Sequence, residues 1–285
     1  MSTTILDGVA SVAPLYDGFI LDVWGVLHNG REPYPGVTDA LAHLIAAGKR
    51  VALLSNAPMR AETVARRVGN IGIERGLFHQ VMTSGEEVWQ MLRDRTDPYF
   101  ASLGRDCLYY GASRHRGMLE GLDLNEVADP AEASFVFNTG PDDLDDAATL
   151  YMPALEAAAR RDLPMVCANA DLHVVDGDRL IACAGMMAVR YEELGGRVSW
   201  HGKPYPSVYQ ACRALLGIED PARILCVGDS LRTDIAGARG VGLDAMLVTN
   251  GIHEGEFGSP IDPVLLAGRL AGEPQPRWAI EGLVW

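Results

Sequence analysis

Short runs of apolar residues recur along the chain between stretches with helical spacing. Phe19-Ile20-Leu21, Val51-Ala52-Leu53-Leu54, Ile224-Leu225-Cys226-Val227 and Ala245-Met246-Leu247-Val248 are continuous, without the alternation of a half-exposed strand. Such runs predict strands buried on both faces, as in a parallel sheet. Val37, Leu41, Leu44 and Ile45 fall on one helical face before Gly48, and Val208, Cys212, Leu215 and Leu216 repeat that spacing before Gly217. An apolar stripe closed by glycine predicts an amphipathic helix and its end. Strand and helix alternate, so the expected fold is α/β, a doubly wound, Rossmann-like parallel sheet core.

The middle of the chain has its own strand candidates, Cys107–Tyr110, Ser134–Phe137 and Pro164–Ala168, with a helical pattern over Ala147–Arg160. These predict a separate α/β module inserted into the core. Turn-forming residues near Pro98 and Gly196 place its borders, giving core residues 1–97, an inserted domain at 98–196 and core residues 197–285. A chain of 285 residues suits two domains of ordinary size.

Composition narrows the partners. With 48% hydrophobic and 22% charged residues the chain reads as a folded, water-soluble protein. A formal charge of −14 argues against nucleic acid, whose binding depends on Lys and Arg displacing counterions. Five irregularly spaced cysteines form no CxxC pair and predict buried, reduced thiols. The segment Met1–Leu15 carries Asp7 and lacks the basic start and apolar run of a signal peptide. No stretch approaches the roughly 20 apolar residues that cross a bilayer. A cytoplasmic protein without a membrane segment is expected.

The polar groups of interest follow the core strands, and open parallel sheets bind ligands at the carboxyl ends of their strands. Asp22 ends the first strand, Ser55 and Asn56 the second, and Gly228-Asp229 a later one, with Asp234 five residues on. Lys203 lies in a Gly-Lys-Pro turn just before a helix. A carboxylate attacks a phosphoryl dianion only if their repulsion is cancelled, which calls for a divalent cation and a lysine. Magnesium takes one or two carboxylates besides the substrate phosphate, so Asp22 and Asp229 suffice as direct ligands. The Ser55 hydroxyl, the Asn56 amide, Lys203 and nearby backbone N–H groups would hold the non-bridging oxygens. Singly, each group has a structural reading: a capped turn for Gly-Asp, a solvated Lys203, a loop pair for Ser-Asn. Four such groups in order, each at a strand end or helix start, are what points to an active site.

That order of motifs resembles the haloacid dehalogenase superfamily. Asp22 matches its nucleophile, Ser55 its second motif, Lys203 its third, and Asp229 with Asp234 its metal-binding fourth, Asp234 standing behind the direct ligands. About a hundred residues between the second and third motifs are similar to the cap of class IIA, the group of nitrophenyl-phosphate, nucleotide, sugar-phosphate and pyridoxal-phosphate phosphatases. Gly228-Asp229-Ser230-Leu231-Arg232-Thr233-Asp234 and Ala168-Asn169-Ala170-Asp171 carry the same likeness. The resemblance implies a magnesium-dependent phosphoric monoester hydrolase that acts on a small phosphorylated metabolite through an aspartyl-phosphate on Asp22. It further implies a cap that selects substrate by closing over the core, where Asp171 and His173 would touch it or form a plain turn, and a homodimer.

One position departs from the family. Its phosphatases carry Asp-x-Asp in the first motif, the second Asp protonating the leaving group, whereas this chain reads Asp22-Val23-Trp24-Gly25. A tryptophan ring is no general acid, although the Trp24 backbone carbonyl still serves as a metal ligand. General acid–base catalysis is worth about 10²–10⁴-fold, or roughly 3–5 kcal/mol of barrier. Three readings stay open: His28 substitutes for the acid or is structural; the leaving group needs no proton; or the bond cleaved is not a phosphate ester, as in the superfamily's metal-independent carbon–halogen hydrolases. A catalytically impaired phospho-ligand binding protein or sensor is the alternative of another class. A receiver domain lacks so long an insertion, and no P-loop run occurs. Trp89, Tyr109 and Tyr110 are expected to pack rather than to stack on a ligand.

Overall fold

The computed structural model describes residues 3–141, 151–176, 179–253 and 255–285. The chain divides into two compact units. One contains the chain up to Ser55, Glu62–Met82 and Lys203–Trp285, and the other Asn56–Ala61 with Thr83–Gly202.

The first unit is built on a sheet of seven strands in the order Thr4–Ile5, Trp278–Ile280, Asp244–Val248, Ile224–Gly228, Gly18–Asp22, Arg50–Ser55 and Gln80–Thr83. The ladders joining Thr4–Ile5 through to Arg50–Ser55 are all parallel. All four apolar runs read from the sequence lie in its central strands, and they are continuous because helices cover both faces. On one face Ile20, Ala52, Leu54, Cys226, Ala245 and Leu247 share a core with Val208, Tyr209, Cys212 and Leu216 of the helix Pro206–Leu216. The helix Val37–Ala46 packs on the Arg50–Ser55 strand and buries Val37, Ala40, Leu41 and Leu44. Gly217 ends the Pro206–Leu216 helix in the left-handed region at φ 61°, its N–H bonded to the carbonyls of Arg213 and Ala214. The outer strands Thr4–Ile5, Gln80–Thr83 and Trp278–Ile280 escape sequence reading, since two to four residues are too few to show a period.

This strand order contains a switch point. From Gly18–Asp22 the chain steps to Arg50–Ser55 on one side, and much later returns to Ile224–Gly228 on the other. The crevice beyond the carboxyl ends of these strands is where an open α/β sheet holds ligands.

The second unit has a five-stranded sheet in the order Arg197–Trp200, Pro164–Cys167, Phe135–Gly140, Asp106–Gly111 and Asn125–Glu126, paired in parallel throughout. His173–Asp176 and Arg179–Ala182 form a separate antiparallel pair. The three strands expected here are present. The expected helix is observed over Met152–Arg160, while residues 147–150 of that expectation lie outside the described residues.

The unit extends beyond the expected borders at Pro98 and Gly196, for two physical reasons. The helix Ser84–Asp94 buries Val88, Trp89 and Leu92 in one cluster with Phe100, Leu103, Cys107, Phe135 and Phe137. Arg197–Trp200, with too mixed a pattern to read as a buried strand, pairs with Pro164–Cys167. Apolar burial and a sheet ladder therefore outweigh the turn signals that suggested the borders. Trp89 and Tyr110 are buried in the unit's apolar clusters, in keeping with a packing role, and all five cysteines are buried and outside any disulfide. Among the described residues no helix is long and apolar enough to cross a membrane.

Thr83 starts the helix Ser84–Asp94 and ties it to the short segment Asn56–Ala61. Its hydroxyl accepts the Glu86 N–H at 2.7 Å and donates to the Met59 carbonyl at 2.5 Å. Loss of an N-cap costs about 0.5–2 kcal/mol, and the Met59 carbonyl loses its donor as well. Thr83→Ala is expected to lower the urea midpoint by an amount equivalent to at least about 1 kcal/mol, with Thr83→Ser near wild type; equal midpoints for all three proteins would remove the cap from the account.

Candidate active site

Three strands place the acidic residues. Asp22 is the last residue of the Gly18–Asp22 strand and pairs with Leu54, so Ser55 stands one step further along the neighbouring strand. On the other side Val227 pairs with Leu21, which brings Gly228 level with Asp22 and Asp229 just past it. Lys203 enters from the turn before the helix Pro206–Leu216, and its ammonium donates to Asp22 Oδ1 at 2.5 Å and to Asp234 Oδ1 at 2.8 Å. Asp22 is 8% exposed and Lys203 4%. Charges this deep persist only when paired, and removing one partner typically costs about 3–5 kcal/mol.

Each remaining carboxylate is held from several sides. Asp229 Oδ2 accepts the Ile252 N–H at 2.8 Å. A Cβ on Gly25, which lies at φ +85°, would come within 2.0 Å of that oxygen, and one on Gly251 within 2.2 Å. The Trp24–Gly25 peptide therefore runs directly beside Asp229. Asp234 sits in a π-helical turn, Leu231–Ile235, and its Oδ2 accepts the Ser230 N–H at 3.2 Å and the Thr233 hydroxyl at 3.5 Å. With Lys203 on Oδ1, both of its oxygens are engaged.

The electrostatics follow from this count of charges. Burial alone would lower the Lys203 pKa, but Asp22 and Asp234 outweigh it and hold the ammonium protonated far above neutrality. Burial, with repulsion from Asp234 and Asp229, pushes Asp22 well up against the pull of Lys203. Burial and Asp234 push Asp229 up to about 7. Three carboxylates whose oxygens lie within 4.8 Å of one another thus share one ammonium. The excess negative charge and the all-oxygen donor set suit a hard divalent cation. Asp22 and Asp229 are the carboxylates placed to hold it, since Asp234 is engaged by Lys203, Ser230 and Thr233.

The structure brings Asp22, Lys203, Asp229 and Asp234 together, with Lys203 bonded to Asp22 and Asp234 and an Asp229 oxygen within 4.8 Å of theirs, and sets Ser55 and the Trp24 backbone beside them. Asn56 belongs to the second unit, where its amide donates to Asp171 at 3.0 Å. Asp171 in turn donates its N–H to Asn169 Oδ1, and His173 opens a strand of the antiparallel pair. The Trp24 ring is 38% exposed and meets His28 edge-on at a centroid distance of 5.5 Å. His28 is buried, and its Nδ1 accepts the Gly30 N–H at 2.9 Å. Burial lowers its pKa, and with Nδ1 accepting from Gly30 the ring braces the Trp24 loop. Gly251 and Ile252 were not singled out in the sequence, whereas Gly25 and the Ser230–Thr233 run stand in the quoted motifs without a stated contact to Asp229 or Asp234.

The comparisons with known proteins agree with this geometry. The model of the haloacid dehalogenase-like hydrolase family matches residues 19–125, and a HAD-hydrolase-like model matches residues 200–271. Chronophin of Mus musculus is 30% identical over 244 residues, covering 82% of this chain and 81% of that protein. The D-glycerol 3-phosphate phosphatase of Mycobacterium tuberculosis is 25% identical over 294 residues, covering 95% and 77%. Among solved structures, a haloacid dehalogenase-like hydrolase from Brucella suis 1330 superposes with a TM-score of 0.82 at 30% identity, covering 98% of this chain and all of the other. The chain belongs to the haloacid dehalogenase-like hydrolase family.

The raised pKa of Asp229 sets a direction for stability against pH. Its carboxyl binds a proton near pH 7 when folded and only in the ordinary acid range when unfolded, so the folded state gains stability as pH falls from 8 through 7. The melting temperature of metal-free protein is expected to rise over that interval, and Asp229→Asn to flatten the rise. A slope that Asp229→Asn leaves intact would assign it to other groups.

Proposed function

We propose that the chain is a magnesium-dependent phosphatase acting on a small phosphorylated metabolite, with Asp22 as nucleophile. The observation that carries this reading is the buried Lys203 ammonium bonded to both Asp22 and Asp234 at the switch point of the sheet. Lys203 counters the upward push of burial on Asp22 and aims its carboxylate, and its charge attracts the phosphate dianion. The kinship with chronophin, glycerol 3-phosphate phosphatase and the 4-nitrophenylphosphatase of Schizosaccharomyces pombe supports phosphate monoesters as the substrate class.

In the first step a bond forms between Asp22 Oδ and phosphorus while the ester P–O bond breaks, its electron pair leaving with the alcohol oxygen. Lys203 and the Ser55 hydroxyl hold the non-bridging oxygens as charge shifts onto them. Water then attacks the aspartyl-phosphate, the P–Oδ bond breaks, and Asp22 is regenerated with release of inorganic phosphate. Asp22, Asp229 and the Trp24 carbonyl would hold magnesium, which would supply positive charge to offset the approach of two anions. Asp234 orients Lys203 from behind. The retained Asp229 and Asp234 favour this chemistry over metal-independent cleavage of a carbon–halogen bond. A cytoplasmic location and a homodimer belong to the same reading.

Trp24 bears on the choice of ester. Its ring carries no transferable acid proton, and His28 has a lowered pKa with Nδ1 accepting, so we place the preferred substrates among esters whose leaving group departs as a stable anion. Phosphate release from a panel of small esters, with and without magnesium, tests both parts. Magnesium-dependent release that is fastest for good leaving groups is expected, and Asp22→Asn should abolish it while Lys203 keeps an acceptor and the fold its melting temperature. Undiminished turnover in Asp22→Asn would exclude the nucleophile. Trp24→Asp should accelerate poor-leaving-group esters by up to about 10²–10⁴-fold, and no gain would mean that a proton already reaches the leaving group by another route.

A further inference from the structure

Tyr209 is not among the motif residues, yet it touches the backbone that carries Asp234. It lies on the helix Pro206–Leu216, is 1% exposed, and its hydroxyl donates to the Thr233 carbonyl at 3.0 Å, with the Asp234 carbonyl at 3.3 Å. Those two carbonyls belong to the π-helical turn Leu231–Ile235. In that turn the Asp234 and Ile235 N–H groups both bond the Ser230 carbonyl, so the regular helical ladder is interrupted. The phenol supplies a donor to carbonyls at this interruption. Room for it is made by Gly237, where a Cβ would lie 2.4 Å from the Tyr209 hydroxyl. Gly228 yields similarly to Asp234, whose Cβ would be 2.1 Å from an added methyl.

We propose that Tyr209 and Gly237 form a buried latch that positions Asp234, and through it Lys203 and the cation-binding carboxylates. The helix bearing Tyr209 begins three residues after Lys203, and the turn it grips carries Asp234. One hydroxyl therefore ties the helix that follows Lys203 to the turn that carries Asp234, its partner in the 2.8 Å ion pair. Tyr209 touches neither the phosphate site nor the reacting carboxylate, so it is a positioning residue. The consequence for catalysis rests on the phosphatase reading above, whereas the latch itself does not.

Tyr209→Phe removes the hydroxyl and keeps the ring. Three changes are expected. Amide hydrogen exchange in metal-free protein should quicken over Leu231–Ala236 and stay unchanged in the strands. The magnesium concentration that gives half-maximal thermal stabilisation should rise by about fivefold to tenfold, the fold-change of one hydrogen bond. The kcat should fall by a similar factor, with KM for the ester altered by less than about twofold. A tyrosine that merely fills the core would lower the melting temperature and leave the magnesium dependence in place. Gly237→Ala provides the second variant: its methyl displaces the hydroxyl, yet alanine favours helix over glycine, so the same shifts would not reflect a lost fold. Wild-type exchange over Leu231–Ala236 in Tyr209→Phe overturns the latch, as does an unchanged magnesium dependence. If wild-type protein shows no magnesium stabilisation or turnover, the functional reading fails, and the exchange comparison alone decides the latch.

Discussion

A lysine ammonium buried between two carboxylates is the interaction on which the rest depends. Lys203, Asp22 and Asp234 come from parts of the chain far apart in sequence, and none of their charges is stable at such depth alone. The fold must therefore bring the end of one strand, a turn after a neighbouring strand and the start of a helix to one point. A parallel sheet does this because all its strands end on the same side, and the reversal of strand order around Gly18–Asp22 opens the crevice there.

That pairing leaves a surplus of negative charge, and the surplus directs the chemistry. One ammonium cannot balance Asp22, Asp229 and Asp234, so the site favours a hard cation and then a phosphate anion. The same arithmetic explains the glycines. Gly25 and Gly251 give up their side chains to the Asp229 carboxylate and Gly228 to Asp234, which lets backbone approach oxygen where a methyl group would collide. Trp24 stands against this polar background as an aromatic ring held by Gly30 and His28, two residues beyond the nucleophile. Under the proposed function the framework for phosphoryl transfer is kept, while Trp24 stands where the family's phosphatases carry the acid that protonates the leaving alcohol.

The second unit shows how burial redraws a border. Turn-forming residues near Pro98 and Gly196 are real punctuation, but Trp89 and Leu92 lie before the first and Arg197–Trp200 after the last, and all of them complete the unit's core or sheet. Thr83 and the Arg60–Glu86 ion pair then draw the short segment Asn56–Ala61 into the same unit.

Much of the fold was legible in the sequence because fully buried strands write themselves as continuous apolar runs, and the four central strands did so. The candidate site was legible for a related reason: its charged residues follow those runs directly, as Asp22 and Asp229 do. Outer strands such as Trp278–Ile280 were too short to carry a period. His28 offers a titratable ring in the sequence, and only the structure shows its Nδ1 accepting the Gly30 N–H. Asp234 was legible as a motif residue, but not its bond to Lys203, nor the Tyr209 hydroxyl behind it. Local pattern records what a residue needs, burial or a turn. Which partner meets that need depends on the register and packing of segments up to two hundred residues apart, and only the tertiary structure decides it.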